Sequence, residues 1–105
     1  MIEIDNRNIG FVLINSFILD NDFQAEKSIA EFYIKSEVRR KGIGRKVIFQ
    51  LFKTYKGKWE IRQQLENQKA QLFWLQIINE FTNGQFTDGI IEKDGYKTRI
   101  QTFKT

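Results

Sequence analysis

Five cations and two glycines stand together in Arg39-Arg40-Lys41-Gly42-Ile43-Gly44-Arg45-Lys46. Residues of these types at this spacing suit the capture of an anion. Glycines carry no Cβ to keep oxygen atoms away from backbone N–H groups. Lys and Arg add charge-assisted hydrogen bonds, and Arg can make them in pairs. A helix that starts here has N–H groups without intrahelical partners and a partial positive charge at that end. Phosphate groups are natural occupants of such a place. The segment is neither the Walker pattern, Gly-x-x-x-x-Gly-Lys-Ser/Thr, nor Gly-x-Gly-x-x-Gly, because Val47 stands where the third glycine belongs. Two readings stay open on these residues alone: a phosphate site, or a tight strand-to-helix turn with a solvated basic rim. A nucleic-acid patch is a third, smaller one.

The rest of the composition narrows the chemistry. The 105 residues include no Cys and no His. That excludes disulfides, thiolate nucleophiles, zinc–thiolate sites and any Ser-His or Cys-His relay. A resident transition metal is not expected, since imidazole is the commonest ligand. Proton transfer falls to Glu, Asp, Tyr, Lys, a chain terminus or water. Glu31 and Tyr33 are the candidate catalytic residues, and Glu60 resembles Glu31 as a strand carboxylate that is more often simply paired with a cation. Asp20, Asn21 and Asp22 have no later acidic ligand at EF-hand spacing, so calcium is not expected. The net charge is +4, and six of the 17 basic residues (Lys35, Arg39, Arg40, Lys41, Arg45, Lys46) fall in one stretch. Charge focused in this way favours a localised phosphate site over a general nucleic-acid-binding surface. No run approaches the roughly 20 apolar residues of a membrane span. The N-terminus shows no signal-peptide pattern, so a cytoplasmic location is expected.

Elements must position these residues. Ile2-Glu3-Ile4-Asp5 and Ile9 to Phe17 read as a hairpin around Asn6-Arg7-Asn8. Ser28 to Lys35 reads as a third strand, with Ala30, Phe32 and Ile34 on one face and Ile29, Glu31 and Tyr33 on the other. A helix is predicted over 45–55, with Val47, Ile48, Leu51, Phe52 and Tyr55 at helical spacing and Gly57 as its stop. Lys58 to Gln63 reads as a strand. Asn67 suits the N-cap of a helix reaching about Phe81, with Ala70, Phe73, Trp74, Ile77, Ile78 and Phe81 apolar. Phe86 to Ile91 and Tyr96 to Phe103 form a hairpin around Asp94-Gly95. The order β-β-β-α-β-α-β-β, without repeats, linkers or proline, predicts one α+β domain over 1–105: a central mixed sheet with helices packed on its faces.

With these motifs in place, the sequence resembles the GNAT superfamily of acyl-CoA-dependent N-acetyltransferases, in particular bacterial members with a Phe-Trp pair in the last helix. The family signature Arg/Gln-x-x-Gly-x-Gly/Ala is matched by Arg39-Arg40-Lys41-Gly42-Ile43-Gly44. Ile29 to Lys35 looks like the family's central strand, and Lys58 to Arg62 like the strand that follows the signature helix. Asn67-Gln68-Lys69-Ala70-Gln71-Leu72-Phe73-Trp74 looks like the opening of the last helix. The resemblance implies acetyl-CoA as cofactor and transfer of its acetyl group to a small-molecule or peptide amine. It implies that backbone around Phe32, Ile34 and Lys35 holds the pantetheine arm between splayed strands. Arg39, Arg40, Lys41, Gly42, Ile43, Gly44, Arg45 and Lys46 would hold the pyrophosphate, Asn67 would bond the arm and Phe73 would pack on it. A backbone N–H near Ile34 would stabilise the oxyanion.

Two departures from the family pattern matter. Phe73 stands where many members have a Tyr that protonates the leaving thiolate, with Tyr33 or Tyr55 as possible substitutes. Members also usually begin with a strand and helices before the hairpin, roughly 40 residues by usual domain size. Against that pattern this chain is N-terminally short, which implies an acceptor wall supplied by another subunit, or an open site. A homodimer is expected on that ground. A CoA-binding module without useful turnover is the alternative to an enzyme.

Overall fold

The computed structural model describes residues 2–4, 7–15, 24–34 and 42–105. Its elements are β1 (Ile2–Ile4), β2 (Arg7–Asn15), β3 (Lys27–Ile34), α1 (Ile43–Thr54), β4 (Lys58–Gln64), α2 (Gln68–Thr82), β5 (Thr87–Lys93) and β6 (Tyr96–Lys104). The strands form one sheet in the order β1-β2-β3-β4-β6-β5. All neighbours are antiparallel except β3 and β4. The sheet is therefore mixed, with its parallel junction at the centre.

Both helices pack on the same face of the sheet, a placement that the sequence pattern left open. Ile48 and Phe52 of α1 and Trp74, Ile77 and Ile78 of α2 share one core with Ile29, Trp59, Ile61 and Phe103. Phe52 is its hub, with ring centroids 5.1 Å from Trp59, 4.9 Å from Phe103 and 5.2 Å from Phe81, all edge-to-face. Edge-to-face aromatic pairs add directional attraction to simple burial. Packing of this kind fixes α1 and α2 relative to β4.

The sheet departs from simple alternation at one place that matters. Leu13 pairs with Glu31 and Ile14 pairs with Ile29, so Ala30 is an extra residue on β3. A bulge of this kind interrupts the two-residue period. As a result Ile29 and Phe32 both join the helix-side packing, although strict alternation placed them on opposite faces. Tyr33 lies on the other face, its ring 5.9 Å from that of its cross-strand partner Phe11. Gly10 lets the strands approach here: a Cβ on it would collide with the Tyr33 carbonyl oxygen. At the far end, Asp94 (φ 53°) and Gly95 (φ 81°) form the predicted tight turn, whose left-handed backbone suits Gly and Asp.

Candidate functional site

The parallel junction opens almost at once. β3 and β4 pair only at Lys27 with Trp59 and at Ser28 with Glu60, whereas β4 and β6 pair along their whole length from Lys58 to Gln64. Beyond Ser28 the two strands part around a cleft of about 720 Å³. That volume lies within the usual range for a small-ligand site. The cleft runs from the strands to the start of α1 and along α2. Apolar surface comes from Ile29, Phe32, Ile61, Phe73 and Trp74, and positive charge from Arg45, Arg62 and Lys69. No Asp or Glu lines it among the described residues.

The two helix starts at this cleft are finished differently. Gly42 caps α1 in a left-handed conformation (φ 70°, ψ 16°), with no side-chain hydrogen bond to the first turn. The helix begins at Ile43, two residues earlier than its apolar spacing suggested. Glycine tolerates this φ at little cost, and the position offers no cap of its own. The α2 start is closed by its own residue: Asn67 Oδ1 accepts from the Ala70 N–H at 3.1 Å. The α1 start therefore offers its N–H groups and dipole to an outside anion, while α2 presents a finished end.

Gly44, in the first turn of α1, is buried, and a Cβ on it would meet Phe73 Cζ at 3.4 Å and Phe32 Cζ at 3.7 Å. The gap between the helix start and these rings is one a single methyl group would narrow. Phe73 and Phe32 stack at 5.9 Å, and Phe73 meets Trp74 edge-on at 5.2 Å. At 36 % exposure Phe73 is a wall of the cleft more than a core residue. Arg45 is turned along the surface, bonded through Nε to Glu80 at 2.5 Å and stacked 4.4 Å from the Phe49 ring. The same hydrogen bond from Arg45 holds the Glu80 carboxyl below its ordinary value.

Of the residues expected to bind a cofactor, Phe32, Ile34, Gly42, Gly44, Arg45, Asn67 and Phe73 line this cleft. Ile43 and Lys46 belong to the first turn of α1 but are not among its lining residues; the Lys46 N–H is engaged by the Gly42 carbonyl at 3.2 Å. Lys35, Arg39, Arg40 and Lys41 lie outside the described residues. Of the catalytic candidates, Tyr33 lines the cleft. Glu31 sits on β3 opposite Leu13. Tyr55 lies at the C-terminal end of α1, away from the cleft, where its carbonyl accepts from Trp59 Nε1 at 3.0 Å. Glu60 is fully buried beside Arg62, which also donates to Ser28 Oγ at 3.1 Å.

Sequence reading missed the polar brace behind the cleft. Gln71 is buried, and its Nε2 donates to the carbonyls of Gln64 (3.1 Å), Leu65 (2.8 Å) and Asn67 (3.3 Å). Its Oε1 accepts from Arg99 NH1 at 2.9 Å. Arg99 in turn grips Asp88 with both Nε and NH2, at 3.0 and 2.7 Å. Asp88 also accepts from Gln101, which is paired with Gln63. The loop that carries Asn67 is thus tied to the β5–β6 hairpin. A signal for it existed: Gln71 precedes Trp74 by three residues and Ile78 by seven, which places an amide on the buried stripe of α2.

A mixed sheet opened at a parallel junction, with a helix start facing the gap, is a fold this chain shares with solved N-acetyltransferase structures. The sequence model of the acetyltransferase (GNAT) family matches residues 1–77, and the chain belongs to that family. Among solved structures it is similar to an N-acetyltransferase from Staphylococcus aureus Mu50, with TM-score 0.66 and 15 % identity over 97 % of this chain and 67 % of that one. It is also similar to a spermidine N-acetyltransferase mutant from Vibrio cholerae, with TM-score 0.62 and 18 % identity over 98 % of this chain and 62 % of that one. The chain thus spans about two thirds of the length of these structures. No curated protein matches it. No described helix is long and apolar enough to cross a membrane.

Proposed function

We propose that this chain binds acetyl-CoA in the β3–β4 cleft and transfers the acetyl group to an amine. The carrying observation is the cleft itself: an uncapped helix start at one end, parted strands at the other, and between them a lining that is apolar and cationic, without carboxylates among the described residues. Such a lining suits a ligand that joins phosphates to a long amide-containing arm. The amine acceptor accords with the family and with the spermidine acetyltransferase among the similar structures.

Acetyl-CoA, when bound, supplies an acyl carbon activated by its thioester. The first-turn N–H groups of α1 and the cations beside them hold the phosphates. The parted edges of β3 and β4 hold the arm through main-chain hydrogen bonds, as a sheet edge takes an added strand. Phe32 and Phe73 exclude water from its apolar side. A backbone N–H near Ile34 serves the charge that develops on the acyl oxygen. One amine proton must leave and one proton must reach the sulfur. Among the described lining residues Tyr33 alone carries a hydroxyl.

Calorimetric titration with acetyl-CoA, followed by thiol release over a panel of amines, tests this reading. Saturable one-to-one binding and amine-dependent thiol release are expected. Binding without turnover on any amine would establish a CoA-binding module instead, which Phe73 at the family's usual tyrosine position favours. Absence of binding would overturn the cleft assignment.

A further inference from the structure

Among the described residues three cations line the cleft: Arg45, Arg62 and Lys69. Two of them are already matched by carboxylates. Arg45 is bonded through Nε to Glu80, whose other oxygen accepts from Gln76 at 3.5 Å, and its guanidinium lies on the Phe49 ring. Arg62 sits 3.6 Å from the carboxylate of Glu60, which is fully buried, and donates to Ser28 Oγ. Lys69 has no carboxylate within ion-pair distance among the described residues. Its side chain is exposed, so the ammonium is both uncompensated and accessible at the cleft wall.

Helix stability gives no reason for a cation at this place. Lys69 is the second residue of α2, where the helix dipole favours a carboxylate and disfavours an ammonium group. The first turn of α2 holds no acidic residue to offset it. The first turn of α1 holds none either, and it carries Arg45 and Lys46. Both helices thus bring positive charge to one cleft against their own dipoles. We propose that Lys69 is a specificity-determining residue for the donor: from the α2 side its ammonium takes a phosphate of CoA, while the α1 start serves the phosphates from the other side. A compact ammonium on a flexible stem suits a phosphate as a point charge. Arg45 and Arg62, each engaged by a carboxylate, bring less free charge to the same ligand. This inference rests on the proposed function and adds a residue to the same site.

The test titrates CoA, and dephospho-CoA, which lacks the phosphate on the ribose, into wild-type protein, Lys69→Met and Lys69→Arg at low salt. Lys69→Met should weaken CoA about tenfold, as loss of one charge-assisted hydrogen bond predicts, and Lys69→Arg should stay within about threefold of wild type. Because Lys69 is exposed, the gap between wild type and Lys69→Met should narrow in about 1 M salt. Without ligand, Lys69→Met should melt no lower than wild type, since a cation leaves a helix start. An unchanged dephospho-CoA affinity in Lys69→Met supports the inference with the ribose phosphate as the partner; a loss about as large as for CoA supports it with the pyrophosphate. CoA affinity within about twofold of wild type in Lys69→Met, or a loss that Lys69→Arg does not restore and salt does not narrow, overturns the Lys69 assignment and leaves the cleft reading standing. Failure of wild-type protein to bind CoA overturns both.

Discussion

Replacing Gly44 by Ala separates two reasons for a glycine at the start of α1. The backbone there is helical, so Ala needs no unusual φ. A Gly to Ala change inside a helix stabilises by up to about 1 kcal/mol, less in the first turn. Against that stands the new methyl at 3.4 Å from Phe73 Cζ and 3.5 Å from Cε1. The ring must give by a few tenths of an ångström, and Phe73, 36 % exposed, has room to do so. Net stability should change by between zero and about +1 kcal/mol, a rise in Tm of at most about 5 °C for a domain of this size. Ligand affinity should move the other way. On the proposed function the methyl narrows the end of the cleft where phosphates would reach the first-turn N–H groups, so CoA affinity should fall at least about tenfold, or about 1.4 kcal/mol. Gly42→Ala is the contrast. Its Cβ meets nothing within 4 Å, but φ 70° is strained for Ala and should cost about 1 kcal/mol. Thermal unfolding and calorimetry with CoA read both quantities. A Gly44→Ala protein that melts several degrees lower, or that binds CoA within twofold of wild type, would refute the reasoning.

Two further outcomes follow from the brace behind the cleft. Gln71→Leu removes one buried amide that serves three loop carbonyls and Arg99; stability should fall by about 1–3 kcal/mol, and CoA affinity should fall beyond what the unfolded fraction explains, because Asn67 loses its anchor. Native-state calorimetry well below Tm separates the two effects. Asp88 is held below the ordinary aspartate range chiefly by the Arg99 hydrogen bonds, with Gln101 adding to the effect. A carboxyl whose folded pKa is depressed contributes stability above its unfolded pKa and loses it as pH falls through the folded value. Asp88→Asn should therefore lower stability by about 1 kcal/mol at pH 7 and flatten its decline below about pH 4, as chemical denaturation across pH would show.

Much of this architecture is legible in the residues. Helical spacing located both helices, and Asp94-Gly95 located the last hairpin, because each signal is local. The Ala30 bulge is not local. It depends on which residue of β2 faces Ile29, and no period within β3 announces it. The face of Ile29 was therefore misassigned, whereas Phe32 and Tyr33 look out of opposite sides as the alternation placed them. Both helices were assigned by pattern but not to a face, since an apolar stripe says that a helix packs and not where. Gly44 was read as an opening for phosphate oxygens. The structure adds the Phe73 and Phe32 rings, which a Cβ at this position would touch at 3.4 and 3.7 Å. Arg62 and Lys69 drew no notice because each is an isolated cation in sequence and joins the site only through the fold.

In the proposed transfer a proton must reach the sulfur, and this makes the sharpest remaining demand on the side chains. Phe73 cannot give one, Tyr55 lies off the cleft, and Tyr96, at the start of β6, is 77 % exposed and does not line it. Tyr33 combines a hydroxyl with a place on the opening, one residue before Ile34. Tyr33→Phe keeps the ring that stacks with Phe11 and removes only the O–H group, so amine and CoA affinities should stay within about twofold of wild type. If that hydroxyl protonates the departing thiolate, kcat should fall about 100-fold, at the low end of the effect of a positioned acid. The drop should be smaller with thioesters whose thiols are more acidic, because a better leaving group needs less help. An unchanged kcat would mean that water protonates the sulfur. A kcat loss that is equal for every leaving group would place the Tyr33 hydroxyl with the acceptor and away from the sulfur.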